Sequence, residues 1–461
     1  MQNILFSPEL LKKYDINGPR YTSYPSADRF SDQFSEKNYV ALLNTYSQNR
    51  LPISLYVHIP FCSNICYYCA CNKVITKDTG RSKKYIKYLI KELQLVTHLI
   101  KPAKSKLPLS QLHLGGGTPT FLSMEEMGLL INEIKKHLDF TNDGEFSIEI
   151  DPRNVSKDYI FFLRELGFNR VSIGVQDFNV DVQKAIHRIQ TINETQNILN
   201  WSRECGFKSR SVDLIYGLPH QNEESFRDTV KKIIEMDPDR ISVYNYAHMP
   251  HLFKAQRRIN QEDLPNAATK LAILSNTISQ LIDVGYKFIG MDHFSKATDE
   301  LYLAQQEGKL HRNFQGYSTQ ADCDMLAIGI TAIGKVSNGY VQHVKTLDEY
   351  YAILDLGMLP VLRGIELNAD DLLRREIIGQ LMCHFEIDTT RFNEIYCINF
   401  VEYFEKELRE IEKLQSHHLV VWDGLKITIP LPARLLVRRV AMIFDKYLGN
   451  ANALLRYSKI I

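Results

Sequence analysis

The sequence predicts an α/β protein: a partial (β/α)6 barrel with an N-terminal arm and a mostly helical C-terminal domain. Apolar strand-like runs alternate with amphipathic helical stretches from Leu55 to Phe294, a pattern that implies a parallel sheet. About six such units are present, fewer than the eight that close a (β/α)8 barrel, so the sheet is expected to leave a lateral mouth for a large substrate. Unusual residues fall one after another just past the strands, where parallel α/β folds carry their chemistry.

Residues 1–50 are assigned to the arm. Its Gly18-Pro-Arg-Tyr-Thr-Ser-Tyr-Pro25 stretch is too rich in proline and β-formers for a helix and is expected to lie across the barrel mouth. The barrel is assigned to 51–294. Strands are expected at Ser54–Ile59, Gln111–Leu114, Glu145–Ile150, Arg170–Val175, Ser209–Ile215 and Arg240–Tyr246, with a further one at Tyr286–Met291. Helical periodicity runs through Lys84–Leu99, Met124–Leu138, Asp158–Leu166, Glu224–Met236 and Asn266–Leu281. Residues 295–364 are mixed and contain Arg312-Asn-Phe-Gln-Gly-Tyr-Ser-Thr-Gln320 and Leu326-Ala-Ile-Gly-Ile-Thr-Ala-Ile-Gly334; they are assigned to completing the barrel and its substrate site. The C-terminal domain, 365–461, is helical from about Asn368 and then carries a hairpin over Leu419–Ile429, with Asp423-Gly424 as its two-residue turn. Helices flanking a small hairpin resemble a winged-helix module. Arg434, Arg438 and Arg439 invite a DNA-binding reading, but arginines at helical spacing are more often a solvated face, and a structural lid or cap is expected instead.

Composition narrows the function. A chain of 461 residues with 44% hydrophobic content can bury one large domain and a smaller one. Its 55 basic and 54 acidic residues leave a formal charge of +1, which argues against bulk nucleic-acid binding. Neither a secretory signal nor a bilayer-spanning apolar run is visible, so a cytoplasmic protein without membrane contact is expected.

Half of the eight cysteines stand in one run, His58-Ile-Pro-Phe-Cys-Ser-Asn-Ile-Cys-Tyr-Tyr-Cys-Ala-Cys71, just after the first strand. Neighbours this close along a loop cannot all pair as disulfides without strain. Crowded thiolates point to a soft metal centre, zinc or iron–sulfur. Zinc sites usually draw on two separated Cys/His pairs, and no second pair follows. Cys62, Cys66 and Cys69 form a CxxxCxxC set, one ligand short of closing a four-iron cluster; an iron left open can bind and activate another molecule. Structural zinc and buried core cysteines are the plainer alternatives. Cys205, Cys323, Cys383 and Cys397 are scattered and read as packing residues.

The next strand end carries Gly115-Gly-Gly-Thr-Pro-Thr120, where absent side chains allow backbone N–H groups to approach a ligand. It is neither a GxGxxG nor a P-loop. Later ends carry Glu149-Ile-Asp-Pro-Arg153, then Gly174-Val-Gln-Asp-Phe178 followed by Ala185-Ile-His-Arg188, then Asp213-Leu-Ile-Tyr-Gly-Leu-Pro219, then Tyr244-Asn-Tyr-Ala-His-Met-Pro250. Glu149 and Asp213 can accept hydrogen bonds from ribose hydroxyls or an ammonium, and Gln176 can serve either polarity. Any one of these residues could merely cap a strand or join an ion pair; their shared rim favours a binding site.

The cysteine spacing is that of the radical S-adenosylmethionine (SAM) enzymes. Nearly end to end, the chain resembles the oxygen-independent coproporphyrinogen III oxidase (dehydrogenase) family of haem biosynthesis. The resemblance is carried by the arm motif, Tyr56-Val-His-Ile-Pro-Phe-Cys62, the fourth cysteine, Gly115–Thr120, Asn169-Arg-Val-Ser-Ile-Gly-Val-Gln176, Asp213–Pro219, Gly290-Met-Asp-His-Phe294 and Phe314-Gln-Gly-Tyr317. It implies a radical SAM barrel with Cys62, Cys66 and Cys69 holding a [4Fe–4S] cluster, and Tyr56, Gly116, Glu149, Ala247 and Ile333 around the cluster-bound SAM. A second SAM site would use Tyr68, Gly117, Thr118, Gln176, Arg188 and Asp213. Cys71, Phe314 and Gln315 match positions implicated in turnover, and Glu149 is counted with them. Ala70 and Ala321 stand where the family commonly has other small residues, and Tyr68 where phenylalanine occurs. The implied reaction converts two propionates of coproporphyrinogen III to vinyls, giving protoporphyrinogen IX, in a monomer served by an external electron donor and acceptor. Substrate carboxylates need cations, and Arg20 is the candidate. A haem-binding, chaperone-like relative is the alternative; it typically lacks the cysteine matching Cys71 and the arm motif.

Overall fold

A computed structural model of the chain describes residues 13–49, 52–100, 106–320, 323–448, 454 and 457–460. Ala321 and residues 1–12 of the expected arm lie outside them. The chain divides into two compact units. The larger holds the described residues of Phe30–Lys270 and Asp322–Glu366, the smaller those of Met1–Arg29, Leu271–Ala321 and Leu367–Ile461.

The larger unit is built on strands β1 (Ile53–Ile59), β2 (Leu107–Gly116), β3 (Leu138–Ile150), β4 (Arg170–Gln176), β5 (Ser209–Tyr216) and β6 (Arg240–Asn245), adjacent in sequence order. Every neighbouring pair is parallel. β7 (Asp324–Ile328) pairs in parallel with the other side of β1, and antiparallel β8 (Ile333–Val336), β9 (Gly339–His343) and β10 (Val361–Glu366) continue from it. β7 is absent from the expected strands because its four residues after Asp324 are all buried, which erases the alternation that marks a strand.

The two sheet faces differ in chemistry. Leu55, Val57, Leu112, Leu114, Ile148, Ile173, Val212, Leu214 and Val243 are fully buried on one face. The opposite face carries Tyr56, His113, Ser147, Glu149, Ser172, Asp213 and Ser242, brought side by side by the parallel register. A strand alternates its side chains between faces, so one set of strands builds both the core and the polar interior.

Helices connect these strands. α1 (Glu36–Asn49) falls inside the stretch read as an arm, and α2 (Gly80–Ile100), α3 (Met124–His137) and α4 (Lys157–Glu165) agree with the periodicity. No helix is expected between β4 and β5, yet the structure has α5 (Val180–Ala185) and α6 (Ile192–Glu204) there. α6 opens with a capping box in which Thr191 and Glu194 satisfy each other's backbone N–H groups, a signal written in the sequence and passed over. α7 (Glu223–Met236) and α8 (Leu347–Asp355) complete the set.

A wholly buried polar group joins α2 to the strands beyond β7. Glu92 accepts hydrogen bonds from Gly329 N (2.8 Å) and the Tyr350 hydroxyl (2.5 Å), and His343 Nδ1 lies 3.1 Å from its other oxygen. Burial raises the Glu92 carboxyl from 4.5 to about 8 and lowers His343 from 6.5 to about 4. The raised carboxyl makes the fold less stable as pH rises from 4.5 towards 8; the lowered imidazole acts oppositely between 4 and 6.5. From pH 6.5 to 8 only the Glu92 effect remains. The melting temperature is therefore expected to fall over that window, and to fall much less in Glu92→Gln. Equal falls in both proteins, followed by thermal unfolding, would contradict the assignment.

In the smaller unit, Lys287–Gly290 pairs antiparallel with His293–Ser295, and His311–Asn313 with Gly316–Ser318. The helix Ala369–His384 starts at Asn368, whose side chain caps it. Glu386–Asp388, Lys426–Thr428 and Val421–Trp422 form a three-stranded sheet. With Trp422 opposite Ile427, the turn residues are Gly424-Leu425, one step later than expected; Asp423 instead accepts from the N–H groups of Leu425 and Lys426.

Arg438 corrects the solvated-face expectation. It is buried, donating to the carbonyls of Pro19 (2.9 Å), Gly18 and Ile460 (3.2 Å). Gly18 N also donates to Ser458 O, so the arm motif is stitched to the C-terminal tail. Arg434 lies over the Phe385 ring at 4.4 Å. Arg20 is bound by the Asp292 carboxylate. Among the described residues no helix is long and apolar enough to cross a membrane.

Candidate active site

The cysteine loop is closed at its base and clamped on two sides. Phe61–Cys62 pairs with Val74–Ile75, and Val74 N donates to Pro60 O at 2.7 Å. On one side Gly117 N donates to Ile59 O (2.8 Å) and Thr118 N to Phe61 O (2.9 Å). On the other, Tyr67 N donates to Ile186 O, and the Tyr67 ring stacks on His187 at 4.9 Å.

These contacts revise the reading of the glycine turn. Its N–H groups at 116, 117 and 118 bond to Glu149, Ile59 and Phe61, so the glycines serve close packing. A Cβ on Gly117 would fall 2.7 Å from the Pro60 backbone, and Gly116 has φ +114° against the His58 ring.

None of the loop cysteines is in a disulfide; Cys66 is buried, Cys62 and Cys69 half-buried, Cys71 exposed. The Thr118 hydroxyl donates to Cys62 Sγ at 3.4 Å. Lys73 Nζ donates to the carbonyls of Cys69 (3.0 Å) and Cys71 (3.3 Å). A hydrogen bond from the Cys71 thiol, outweighing burial and aided by Lys73, draws Cys69 down to about 6, while burial pushes Cys62 up to about 11.

One cavity of about 740 Å³ brings together most of the residues singled out from sequence: Cys62, Cys66, Cys69, Cys71, Tyr68, Gly116, Gly117, Thr118, Glu149, Gln176, Arg188 and Asp213. Tyr56, Ala247 and Ile333 are not among its lining residues. Tyr56 lies on β1 stacked on His113 (5.9 Å), and Ala247 shares the Gln256 side-chain amide with Tyr68, both carbonyls accepting from it. Ile333 sits on β8 opposite Gln342. Phe314 and Gln315 are the two-residue turn of the hairpin His311–Ser318 in the smaller unit.

Glu149, the last residue but one of β3, has its oxygens at Gly116 N (3.1 Å) and His113 Nε2 (3.2 Å). Burial pushes its carboxyl up, but the hydrogen bond and charge of His113 and the Gly116 N–H outweigh it and hold it below its usual value. Asp213 accepts from Ser172 at 2.8 Å; burial and the nearby Glu149 charge raise it to about 6. Gln176 stands at a bulge with φ 68°, a left-handed conformation that costs a non-glycine residue energy. Its neighbour Asp177 is fully buried and accepts from Gln221 (2.5 Å) and Thr229 (2.7 Å), which pins the strained turn.

Sequence reasoning left His113, Ser172, Asp151, Arg153 and Lys73 without roles. His113 could have been found by counting alternate positions back from Gly115, and Ser172 likewise from Gly174. Asp151 and Arg153 belong to the strand-end segment Glu149-Ile-Asp-Pro-Arg153.

The thiol set fits a cubane. A four-iron cluster carries each cysteine on a separate iron, and Cys62, Cys66 and Cys69 line one cavity as three such ligands would. Three clamped cysteines, a polar rim and an open parallel sheet define a radical SAM protein, and residues 56–233 match the radical SAM superfamily. The chain is 45% identical to an oxygen-independent coproporphyrinogen III oxidase of Pseudomonas aeruginosa and 43% to that of Escherichia coli, each over the full length of both chains. The solved structure of coproporphyrinogen III oxidase HemN from Escherichia coli, a radical SAM enzyme, matches with a TM-score of 0.92 at 42% identity, covering 97% of this chain and all of that one. The chain belongs to the oxygen-independent coproporphyrinogen III oxidase family. A [4Fe–4S] cluster and SAM follow as its cofactors, and the zinc alternative is set aside.

Proposed function

We propose that the protein oxidises coproporphyrinogen III without oxygen, converting two propionates to vinyls and yielding protoporphyrinogen IX. Each propionate loses one hydrogen, one CO2 and one electron. The observation that carries the reading is the single cavity shared by Cys62, Cys66 and Cys69 with Glu149, Gln176, Arg188 and Asp213. A C–H beside a propionate has no acidic proton, so no general base in the cavity can start the reaction. When bound, the cluster and SAM supply an electron and a primary carbon radical able to take that hydrogen.

The chain's own residues bind and orient. Cys62, Cys66 and Cys69 hold the cluster. Glu149, kept ionised by His113 and Gly116, accepts hydrogen bonds from the first SAM, with Tyr56, Ala247 and Ile333 as its surroundings. Tyr68, Gly117, Thr118, Gln176, Arg188 and Asp213 serve a second SAM; all six line the same cavity, which supports two molecules in succession or together. Cys71, Phe314 and Gln315 act in turnover, and an external donor and acceptor exchange electrons with a monomer in the cytoplasm. Arg20 is already engaged by Asp292, which weakens it as the partner of a substrate carboxylate.

Glu149→Ala is expected to weaken SAM binding by about 10- to 100-fold, the value of one charge-assisted hydrogen bond of roughly 1.5–3 kcal/mol, with iron content unchanged. Unchanged anaerobic SAM affinity would return Glu149 to a strand-capping role. The function itself is tested by reconstituting the chain anaerobically and supplying SAM, reductant and coproporphyrinogen III. The expected products are 5′-deoxyadenosine, methionine, CO2 and a vinyl porphyrinogen, with the monovinyl species first. Tight haem retention with no vinyl product would select the chaperone-like alternative.

A further inference from the structure

We propose that Arg153, held by Asp151, raises the reduction potential of the cluster through the sulfur of Cys66. The inference rests on Cys66 being a cluster ligand. Asp151 lies just past β3. One of its oxygens accepts from Arg153 N (3.2 Å) and Nε (2.9 Å), and the other from Arg153 Nη2 (2.6 Å) and Arg188 Nη1 (3.0 Å). The backbone bond bends the chain back on itself across Pro152 and fixes where the guanidinium points. That same Nη2 stands 3.9 Å from Cys66 Sγ, and Arg188 Nη1 stands 3.7 Å from it.

The three side chains are only 16%, 14% and 7% exposed for Arg153, Asp151 and Arg188, so solvent screens them weakly. Two guanidiniums against one carboxylate leave one positive charge in excess beside this thiol. Of the other two ligand cysteines, Cys62 receives the neutral Thr118 hydroxyl, and Cys69 has the single Lys73 ammonium, which also donates to its carbonyl, whereas Cys66 has two guanidiniums. Reduction adds a negative charge to a group already made anionic by three thiolates. A fixed positive charge and N–H donors at a ligand sulfur favour that reduced state, and hydrogen bonding and net charge are established levers on such potentials. Arg153 is thus a positioning and tuning residue, acting on the cluster through Cys66.

The test is a mediated redox titration of the whole reconstituted chain, followed by electron paramagnetic resonance without substrate. Arg153→Met is expected to shift the midpoint to lower potential. Asp151→Asn, which removes the compensating negative charge, is expected to shift it to higher potential. Arg153→Lys should stay nearer the native value than Arg153→Met. Iron and sulfide per chain should match the native protein throughout. Shifts in the same direction in Arg153→Met and Asp151→Asn, or no shift in either, overturn the proposal, as does cluster loss in both. If only Arg153→Met loses its cluster, the Asp151→Asn shift decides alone. A native chain that takes up no cluster would instead defeat the ligand assignment, and a native chain that holds its cluster but makes no vinyl product would defeat only the proposed reaction.

Discussion

Replacing Cys62, Cys66 or Cys69 singly with serine is expected to leave a chain without a stable cluster and without turnover. Each change removes one of only three thiolates, and a serine oxygen is a hard donor poorly suited to iron–sulfur chemistry. The rest of the loop should persist, because its clamps run through backbone atoms of Ile59, Phe61, Ile65 and Tyr67 rather than through sulfur. Cys71→Ser separates ligand from helper: Cys71 is exposed on the far side of Ala70, and its loss should preserve iron while impairing turnover. Iron and sulfide analysis after anaerobic reconstitution reads both results. Iron loss in Cys71→Ser as deep as in Cys62→Ser would overturn the ligand set.

The second large effect is expected on stability. Arg438→Met should destabilise the smaller unit by about 3 kcal/mol, since it strands carbonyls of Gly18, Pro19 and Ile460 in the interior, each costing roughly 1–3 kcal/mol when left unmade but partly recovered by relaxation. Burial and the neighbouring Arg20 charge push Arg438 down to about 9, so it remains a charged donor at neutral pH. Arg439→Met, one position along and half-buried, should change stability by about 0.5 kcal/mol or less. Calorimetric or chemical unfolding of the two variants provides the comparison. Similar small losses in both would mean that Arg438 does not tie the arm to the tail.

The two arginines mark where sequence reading stops. Arg434, Arg438 and Arg439 share a helical spacing, and spacing reports which side chains lie on one face, not what that face meets. What met it was the arm, more than 400 residues earlier. The same limit explains β7: its run is short, apolar throughout after Asp324 and paired with β1, so neither periodicity nor neighbours in the chain announce it. α6 is a different matter. Thr191 and Glu194 spell out its capping box locally, so this helix is legible in the sequence itself.

By itself the sequence determined the class of chemistry and the order of the parallel strands. Both are local: three cysteines within eight residues choose their metal by spacing, and strand–helix alternation chooses a parallel sheet by handedness and connection length. It also placed Glu149, Gln176 and Asp213 at strand ends, with Arg188 following shortly after Gln176. Only the tertiary structure decided their partners. His113 meets Glu149 because parallel register aligns β2 with β3, Arg188 meets both Asp151 and Cys66 because the chain after β4 folds back, and Gly117 N–H turned to Ile59 at the base of the cysteine loop because no Cβ separates the two backbones. Charge, hydrogen bonding and burial act through space, over distances the chain order does not record, and they set the ionisation of Glu149, Asp151 and Asp213.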